Sequence, residues 1–278
     1  MILPKISILT PTFNRRRFLP LMISNIHRFD YPKELIEWNI LDSLGFSGEK
    51  APKLFKNDSE VQDLQSNLNI IINYRYLEEP LHIGEKRNIL SKNSNHDILI
   101  NMDDDDFYFN SYLKHSIITL LNTKKDIVGC LDMLFIYPEK DFQISYIQCV
   151  KNYILYDEST LCMKKSHWKK YKYVNTSKGE GNTIYGKPDL CGKTNIFQCL
   201  ICSCWKENTI NKDYFLKYPI QLSIDKNIYD ILQITFSKNI FISKQILKNI
   251  KSLLQSIYSK TNDKNIYLIL ILINLYLR

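Results

Sequence analysis

His96–Asn110, HDILINMDDDDFYFN, sets four consecutive carboxylates, Asp103 to Asp106, directly behind an apolar run. Ile98, Leu99, Ile100 and Met102 read as a buried strand, because a short apolar run without polar alternation marks a strand covered on both faces. Four like charges side by side repel, and packing them together pushes some of their pKa values up. A divalent cation removes that conflict. Hard cations prefer carboxylate oxygens, and Mg²⁺ bound this way keeps positions for water and substrate phosphates. Asp-x-Asp spacing at a strand end sends two side chains toward one ion. The plainer alternative is a solvated acidic turn in which Asp106 or Asn110 caps the next helix. A run of acids immediately behind a buried strand favours ligand binding.

Outward from this stretch, strand-length apolar runs alternate with helical patterns. Lys5–Thr10, Glu37–Leu41, Leu68–Tyr76, Asp97–Met102 and Asp126–Ile136 predict strands, while Arg16–Phe29, Gly84–Lys92 and Asn110–Leu121 predict helices. This βαβα order predicts an α/β fold with a mainly parallel central sheet flanked by helices. Ligands of open α/β sheets bind outside the carboxyl ends of the strands, which is where Asp103–Asp106 lie. Residues 43–66 read as a polar loop with one short helix. Beyond Ile144 the pattern degrades: short strands near 144–150 and 160–163, a helix near 165–171, a polar stretch over 176–193 and a strand over Phe197–Trp205. Residues 222–278 read as a helical C-terminal segment, so the expected division is 1–221 and 222–278.

Two groups of cations run against the preference of helix N-termini for acids. Arg15, Arg16 and Arg17 follow the first strand, and Lys86 and Arg87 follow the third, so both groups belong to the edge that carries the aspartates. Cations stacked on the positive end of a helix make sense when an anion such as a diphosphate sits between them.

The 278 residues are 45% hydrophobic and 24% charged, with a formal charge of +8. The lysines are scattered, and no basic block is interleaved with aromatics as a nucleic-acid platform requires. No P-loop and no G-x-G-x-x-G occurs. The N-terminus does not read as a signal peptide, and seven cysteines, an odd number, suit reduced thiols and a cytoplasmic protein. Cys191, Cys199, Cys202 and Cys204 lack the second Cys or His pair of a zinc site and read as buried thiols. The longest apolar run, Ile266–Leu277, is shorter than the roughly 20 residues a membrane span needs. The segment 222–278 mixes Lys with Ile and Leu, which suits packing on the preceding domain or homo-oligomerisation, with peripheral membrane contact as the alternative.

Taken in order, ISILTPTFNRRRFL, EWNILDS, IGEKRNIL and ILINMDDDDFY, continued by STLCMKKSHWKKYKYVNTSKGEG and CSCWKENTINK, resemble family 2 glycosyltransferases of the GT-A fold. The resemblance spans roughly residues 5–212. It implies a transfer of sugar from a nucleotide-diphosphate sugar, expected to be a UDP-sugar, to an acceptor hydroxyl on a glycan, protein or lipid, with inversion. It implies Mn²⁺ or Mg²⁺ held by Asp105 with Asp103, and Asp103 and Asp104 near the ribose and diphosphate. It further implies that Pro11, Thr12, Asn14 and Asp42 hold the nucleoside and that Lys86 and Arg87 face the donor, and Arg15 is expected to bind the donor nucleotide with them. The family's usual Glu-Asp or Asp-Asp pair is Glu180-Gly181 here, which leaves Glu180 or Asp189 as the expected base, and Trp205 stands where many relatives have His. Two alternatives stay open: a catalytically silent nucleotide-sugar-binding relative, and a sugar-phosphate nucleotidyltransferase. The second lacks its glycine- and arginine-rich loop.

Overall fold

The computed structural model describes residues 2–140, 143–147, 156–206, 208–209 and 211–217. The helices expected over 222–278, and with them the division at 221/222, lie outside the described residues. The chain divides into two compact units, 1–133 with 148–200, and 134–147 with 201–278.

The first unit is built on a seven-stranded sheet. In chain order its described elements are β1 (Ile6–Thr12), α1 (Leu19–Arg28), β2 (Ile36–Leu44), α2 (Asp58–Leu68), β3 (Ile71–Pro80), α3 (Ile83–Asn93) and β4 (Ile98–Asn101). They continue with β5 (Phe107–Tyr108), α4 (Tyr112–Thr123), β6 (Ile127–Gly129), β9 (Cys162–Lys164), α5 (Lys165–Lys170), β10 (Cys191–Lys193) and α6 (Ile196–Cys199), with β7 (Met133–Tyr137) and β8 (Gln143–Ile147) falling between β6 and β9 in sequence. The sheet order is β10-β6-β9-β4-β1-β2-β3. β4, β1, β2 and β3 run parallel, as do β10 and β6, and β9 is antiparallel to its two neighbours.

Every residue of β1 and of β4 is buried, the sign of strands covered on both faces. In α1 the buried Leu19, Met22 and Ile26 recur at helical spacing, and a proline in the first turn starts the helix without losing a needed N–H. The core cluster beside β1 and β4 gathers Leu9, Leu41, Leu99, Ile127, Leu161, Met163, Trp168, Tyr173, Ile184 and Tyr185. β1 sits between β2 and β4, so the strand order reverses there, and the carboxyl ends of β1 and β4 flank the switch point at which α/β sheets bind ligands.

Three elements differ from the sequence reading. Leu68 closes α2, with Asn69 in the left-handed region at φ 53°, so β3 begins only at Ile71. The single strand expected over 126–136 is two, because Cys130 leaves the ladder and donates its N–H to Thr160 Oγ1 at 2.8 Å. The run from Phe197 opens as the short α6, because Asn195 Oδ1 accepts from the Phe197 N–H at 3.0 Å and caps a helical turn. Only Leu200–Ser203 (β11) is strand.

In the second unit β11 pairs in parallel with β7, Cys202 opposite Phe135, and Phe135 stacks on Phe215 with ring centroids 5.0 Å apart. Among the described residues no helix is long and apolar enough to cross a membrane.

Candidate active site

Strand register brings the site together. Thr12 pairs with Asp42 across β1 and β2, and Leu9 pairs with Asn101 across β1 and β4, so the chain leaves all three strands at one edge. Pro11 and Thr12 are buried at the end of β1, followed by Asn14 at φ 55°. Asp42 accepts from Ser43 N–H (2.9 Å), Leu54 N–H (2.9 Å) and Tyr74 Oη (3.0 Å). Burial raises its pKa against the effect of those donors and of Lys86.

Lys86 and Arg87 reach this edge because of Gly84. A Cβ at Gly84 would strike the Val174 carbonyl, and the Gly84 N–H donates to Thr176 O at 2.9 Å, so the first turn of α3 lies against the 174–180 segment. Lys86 Nζ donates to Thr12 O at 2.6 Å. Burial lowers its pKa to about 8, with Asp42 and Asp104 opposing that shift. Arg87 is 2% exposed, donates through Nη2 to Asp103 Oδ1 and Oδ2 at 2.9 and 3.3 Å, and has Nε 3.5 Å from Glu180 Oε1. Burial disfavours its charge, but Asp103 and Glu180 outweigh burial and raise its pKa. Among the described residues its Nη1 is a buried donor without a hydrogen-bond partner.

The acidic turn is pinned by the residues that follow it. The Asp103 N–H donates to Tyr108 Oη at 2.8 Å, Tyr108 Oη donates to Ser159 O at 3.1 Å, and Asn25 Nδ2 donates to Asp106 O at 2.9 Å. Asp104 and Asp105, both buried, share Arg15: Nε is 3.5 Å from Asp104 Oδ1 and Nη2 is 3.6 Å from Asp105 Oδ2. Burial and the charge of Asp105 push the Asp104 carboxyl up to about 8. Among the described residues no three Asp, Glu, His or Cys side chains converge as a complete metal-ligand set. The donor set nevertheless fits a hard cation: two buried carboxylates strained by mutual repulsion offer oxygen ligands, and water and phosphate commonly complete such a shell.

Of the three arginines behind β1, Arg15 faces Asp104 and Asp105. Arg16 forks onto Glu60 (2.9 and 2.5 Å), and Arg17 lies over the Phe18 ring at 4.5 Å. Glu180 is 7% exposed and adjoins Arg87, whereas Asp189 is exposed, in a 3₁₀ turn whose backbone accepts from Lys125 at 2.6 Å.

No family model and no curated protein matches the sequence. Solved structures do. The chain is similar to residues 1–349 of TarS from S. aureus at TM-score 0.53 and 12% identity, over 98% of this chain and 89% of that one. That protein is also solved with UDP and with UDP-GlcNAc. The chain is likewise similar to the mannosyltransferase PcManGT from Pyrobaculum calidifontis, solved with GDP-Man and Mn²⁺, at TM-score 0.53 and 12% identity over 94% of this chain and 76% of that one. The fold is GT-A.

Within this GT-A fold the sequence reading passed over the residues around Arg87. Tyr173 is buried with its ring centroid 5.9 Å from the guanidinium, and Tyr173 Oη accepts from Asn101 Nδ2 at 3.0 Å. Tyr185 Oη donates to Glu158 Oε1 at 3.1 Å. Burial, and then the charge of Glu180, raise the Glu158 carboxyl to about 7. These groups come from the irregular stretch 156–190, whose 3₁₀ turns carry no sequence periodicity. The available signal was compositional: tyrosines and acids in a stretch otherwise rich in Gly, Asn and Lys.

Proposed function

We propose that the chain transfers a sugar from a nucleotide-diphosphate sugar to an acceptor hydroxyl, dependent on a divalent ion, with a UDP-sugar as the preferred donor and inversion at the sugar carbon. The reading rests on one observation: Arg15, Lys86 and Arg87 stand buried or half-buried among Asp42, Asp103, Asp104, Asp105 and Glu180 at the carboxyl edge of the sheet. Buried charge of this density is a poor stabiliser, because desolvation offsets most of the pairing energy. It suits a ligand that carries both signs, a diphosphate with its cation.

In this reading Asp105, with Asp103, would hold Mn²⁺ or Mg²⁺, and the bound ion would supply charge that stabilises the departing diphosphate. Lys86 and Arg15 bind the same phosphates from the protein side, held in advance by Thr12 O and by the aspartates. Pro11, Thr12, Asn14 and Asp42 take the nucleoside. Among the described residues Asp42 Oδ1 accepts a single N–H, from Ser43, and an ionised carboxylate oxygen has capacity for a second donor such as a ribose hydroxyl. The acceptor proton goes to a carboxylate beside Arg87.

Gly181 favours a second reading, a relative that binds nucleotide sugar without turning it over, since this position offers no carboxylate. Thermal-shift measurements with UDP, GDP, UDP-GlcNAc, UDP-glucose and GDP-mannose, each with and without Mn²⁺, test the binding common to both readings. Stabilisation by at least one nucleotide that needs the ion is expected, and release of free nucleoside diphosphate then separates enzyme from silent relative. No shift with any of the set would remove both.

A further inference from the structure

Gly181 lies in a 3₁₀ turn, Glu180–Asn182, and its backbone does not require glycine: the glycines with positive φ are Gly48, Gly179 and Gly186. The space around it does. A Cβ at 181 would stand 2.6 Å from Glu158 Oε1 and 2.5 Å from Tyr185 Oη. Real Cβ atoms do not approach so closely, and both neighbours are held, since Tyr185 Oη donates to Glu158 Oε1 at 3.1 Å and to Tyr156 O at 3.2 Å. The room left by the missing side chain is therefore filled by a carboxyl group from a different segment, the turn Glu158–Thr160.

Glu180 and Glu158 are not equivalent. Glu180 is 7% exposed and is committed to the guanidinium, its Oε1 standing 3.5 Å from Arg87 Nε. Glu158 is more exposed than Glu180 and is anchored from behind, its backbone carbonyl accepting from Asn101 Nδ2 at 2.6 Å. Asn101 is the last residue of β4, two before Asp103, so the anchor ties Glu158 to the strand that ends in the acidic turn.

We infer that Glu158, seated in the space Gly181 leaves, is the group that takes the proton from the attacking acceptor hydroxyl. The inference rests on the glycosyltransferase reading above. In the step, the acceptor O–H bond breaks and its proton passes to a Glu158 carboxylate oxygen. The acceptor oxygen forms a bond to the anomeric carbon, and the bond from that carbon to the diphosphate oxygen breaks, its electron pair leaving with the nucleoside diphosphate. Glu180 is a positioning residue: it shares Arg87 with Asp103 and so links the base to the donor side. The charged and titratable groups facing Glu158 are Glu180 and Asp157, which raise its pKa, Arg87, which lowers it, and the hydroxyls of Tyr185 and Tyr173. With burial as the largest cause the carboxyl rises to about 7, close to the operating range in which a general base is most effective.

The test uses the full chain with Mn²⁺ and UDP-GlcNAc, UDP-glucose or GDP-mannose, following release of free nucleoside diphosphate with water or an added sugar as acceptor. Glu158→Gln should lower the release rate by about 10²- to 10⁴-fold, the usual contribution of a positioned base, with the Kd for UDP or GDP within twofold of wild type. The acidic limb of the wild-type rate profile, near pH 7, should vanish from the residual rate of the variant. Gly181→Ala, which displaces the Glu158 carboxyl without removing it, should lower the rate with nucleotide binding retained, and it keeps the test decisive if the Gln variant does not fold. Either variant turning over at the wild-type rate overturns the role of Glu158. A wild-type chain that binds nucleotide but cleaves no donor also overturns it while leaving the donor site standing. A wild-type chain that neither binds nor cleaves removes the glycosyltransferase reading and this inference with it.

Discussion

Arg87 Nη2 lies 2.9 Å from Asp103 Oδ1, a charge-assisted hydrogen bond between the third helix and the acidic turn. The guanidinium is almost wholly buried and its other face adjoins Glu180. Removing it would strand the buried Glu180 carboxylate and take the donor from Asp103, whose side chain is 30% exposed. Breaking a buried pair by deleting one partner costs about 3–5 kcal/mol, so Arg87→Ala should lose that much in urea unfolding at pH 7. Arg87→Lys, which keeps the charge but not the fork, should fall between. A loss under about 1 kcal/mol, the range of surface pairs, would mean that these groups are not held together in solution.

Lys86 and Arg16 should behave oppositely, although both belong to cation groups of similar appearance in the sequence. Lys86 is 3% exposed, donates to Thr12 O and is set between Asp42 and Asp104, whereas Arg16 is committed to Glu60. Lys86→Met should weaken UDP or GDP binding by about 10- to 100-fold, in keeping with a charge-assisted contact of about 1.5–3 kcal/mol, and should barely change uridine or guanosine binding. Arg16→Ala should leave nucleotide affinity unchanged and cost at most about 1 kcal/mol of stability, as part-exposed pairs do. Titration calorimetry of the four ligands on both variants checks this, and equal losses on nucleoside and diphosphate would free Lys86 from the phosphate role.

How far the sequence carries is visible in that contrast. β1, β2 and β4 are short stretches rich in Ile and Leu, and their order alone implies a parallel sheet with the aspartates on its carboxyl edge. The adjacency of Thr12, Asp42 and Asp104 follows from strand register and so was within reach of the sequence. The partner of Arg16 is not, because Glu60 lies 44 residues away on a helix inside a polar insertion. Glu158, Tyr173 and Tyr185 were illegible for a related reason. They sit in 3₁₀ turns and loops whose path is set by packing against α3 and β4, and no local pattern distinguishes a buried glutamate there from a solvated one. Gly181 was legible only as a missing acid; that Glu158 and Tyr185 occupy the space beside it is a matter of tertiary packing.

Asp104 and Asp105 both meet Arg15, and each sits in the field of the other. A bound divalent ion relieves that repulsion. The chain should therefore gain thermal stability with Mn²⁺, more so with a nucleoside diphosphate, and lose the gain on adding EDTA. Asp105→Asn should abolish the Mn²⁺-dependent part while keeping the fold. Mn²⁺ binding read directly by electron paramagnetic resonance, without turnover, gives the same test. Wild-type affinity for Mn²⁺ in the Asn variant would remove Asp105 as a ligand.

Glu158 also marks the pH dependence of stability. Its carboxyl sits at about 7 in the folded chain against an ordinary 4.5, with burial the main cause and Glu180 the next. The folded state thus holds the proton more tightly than the unfolded one. Stability from this group is complete below about pH 4.5, and it is lost as pH rises through 7, since stability falls with pH wherever the native state binds more protons. Glu158→Gln is uncharged throughout and removes that slope. Other groups with displaced pKa values, Asp104 and Lys86 among them, remain in both proteins and cancel in the difference. The melting temperature of the variant relative to wild type should therefore climb between pH 4.5 and 8, at about 2–4 °C per kcal/mol of difference for a chain of this size. Calorimetric scans of both proteins across that range decide it: parallel curves would mean that Glu158 titrates as an ordinary solvated glutamate and is not held against Glu180 at all.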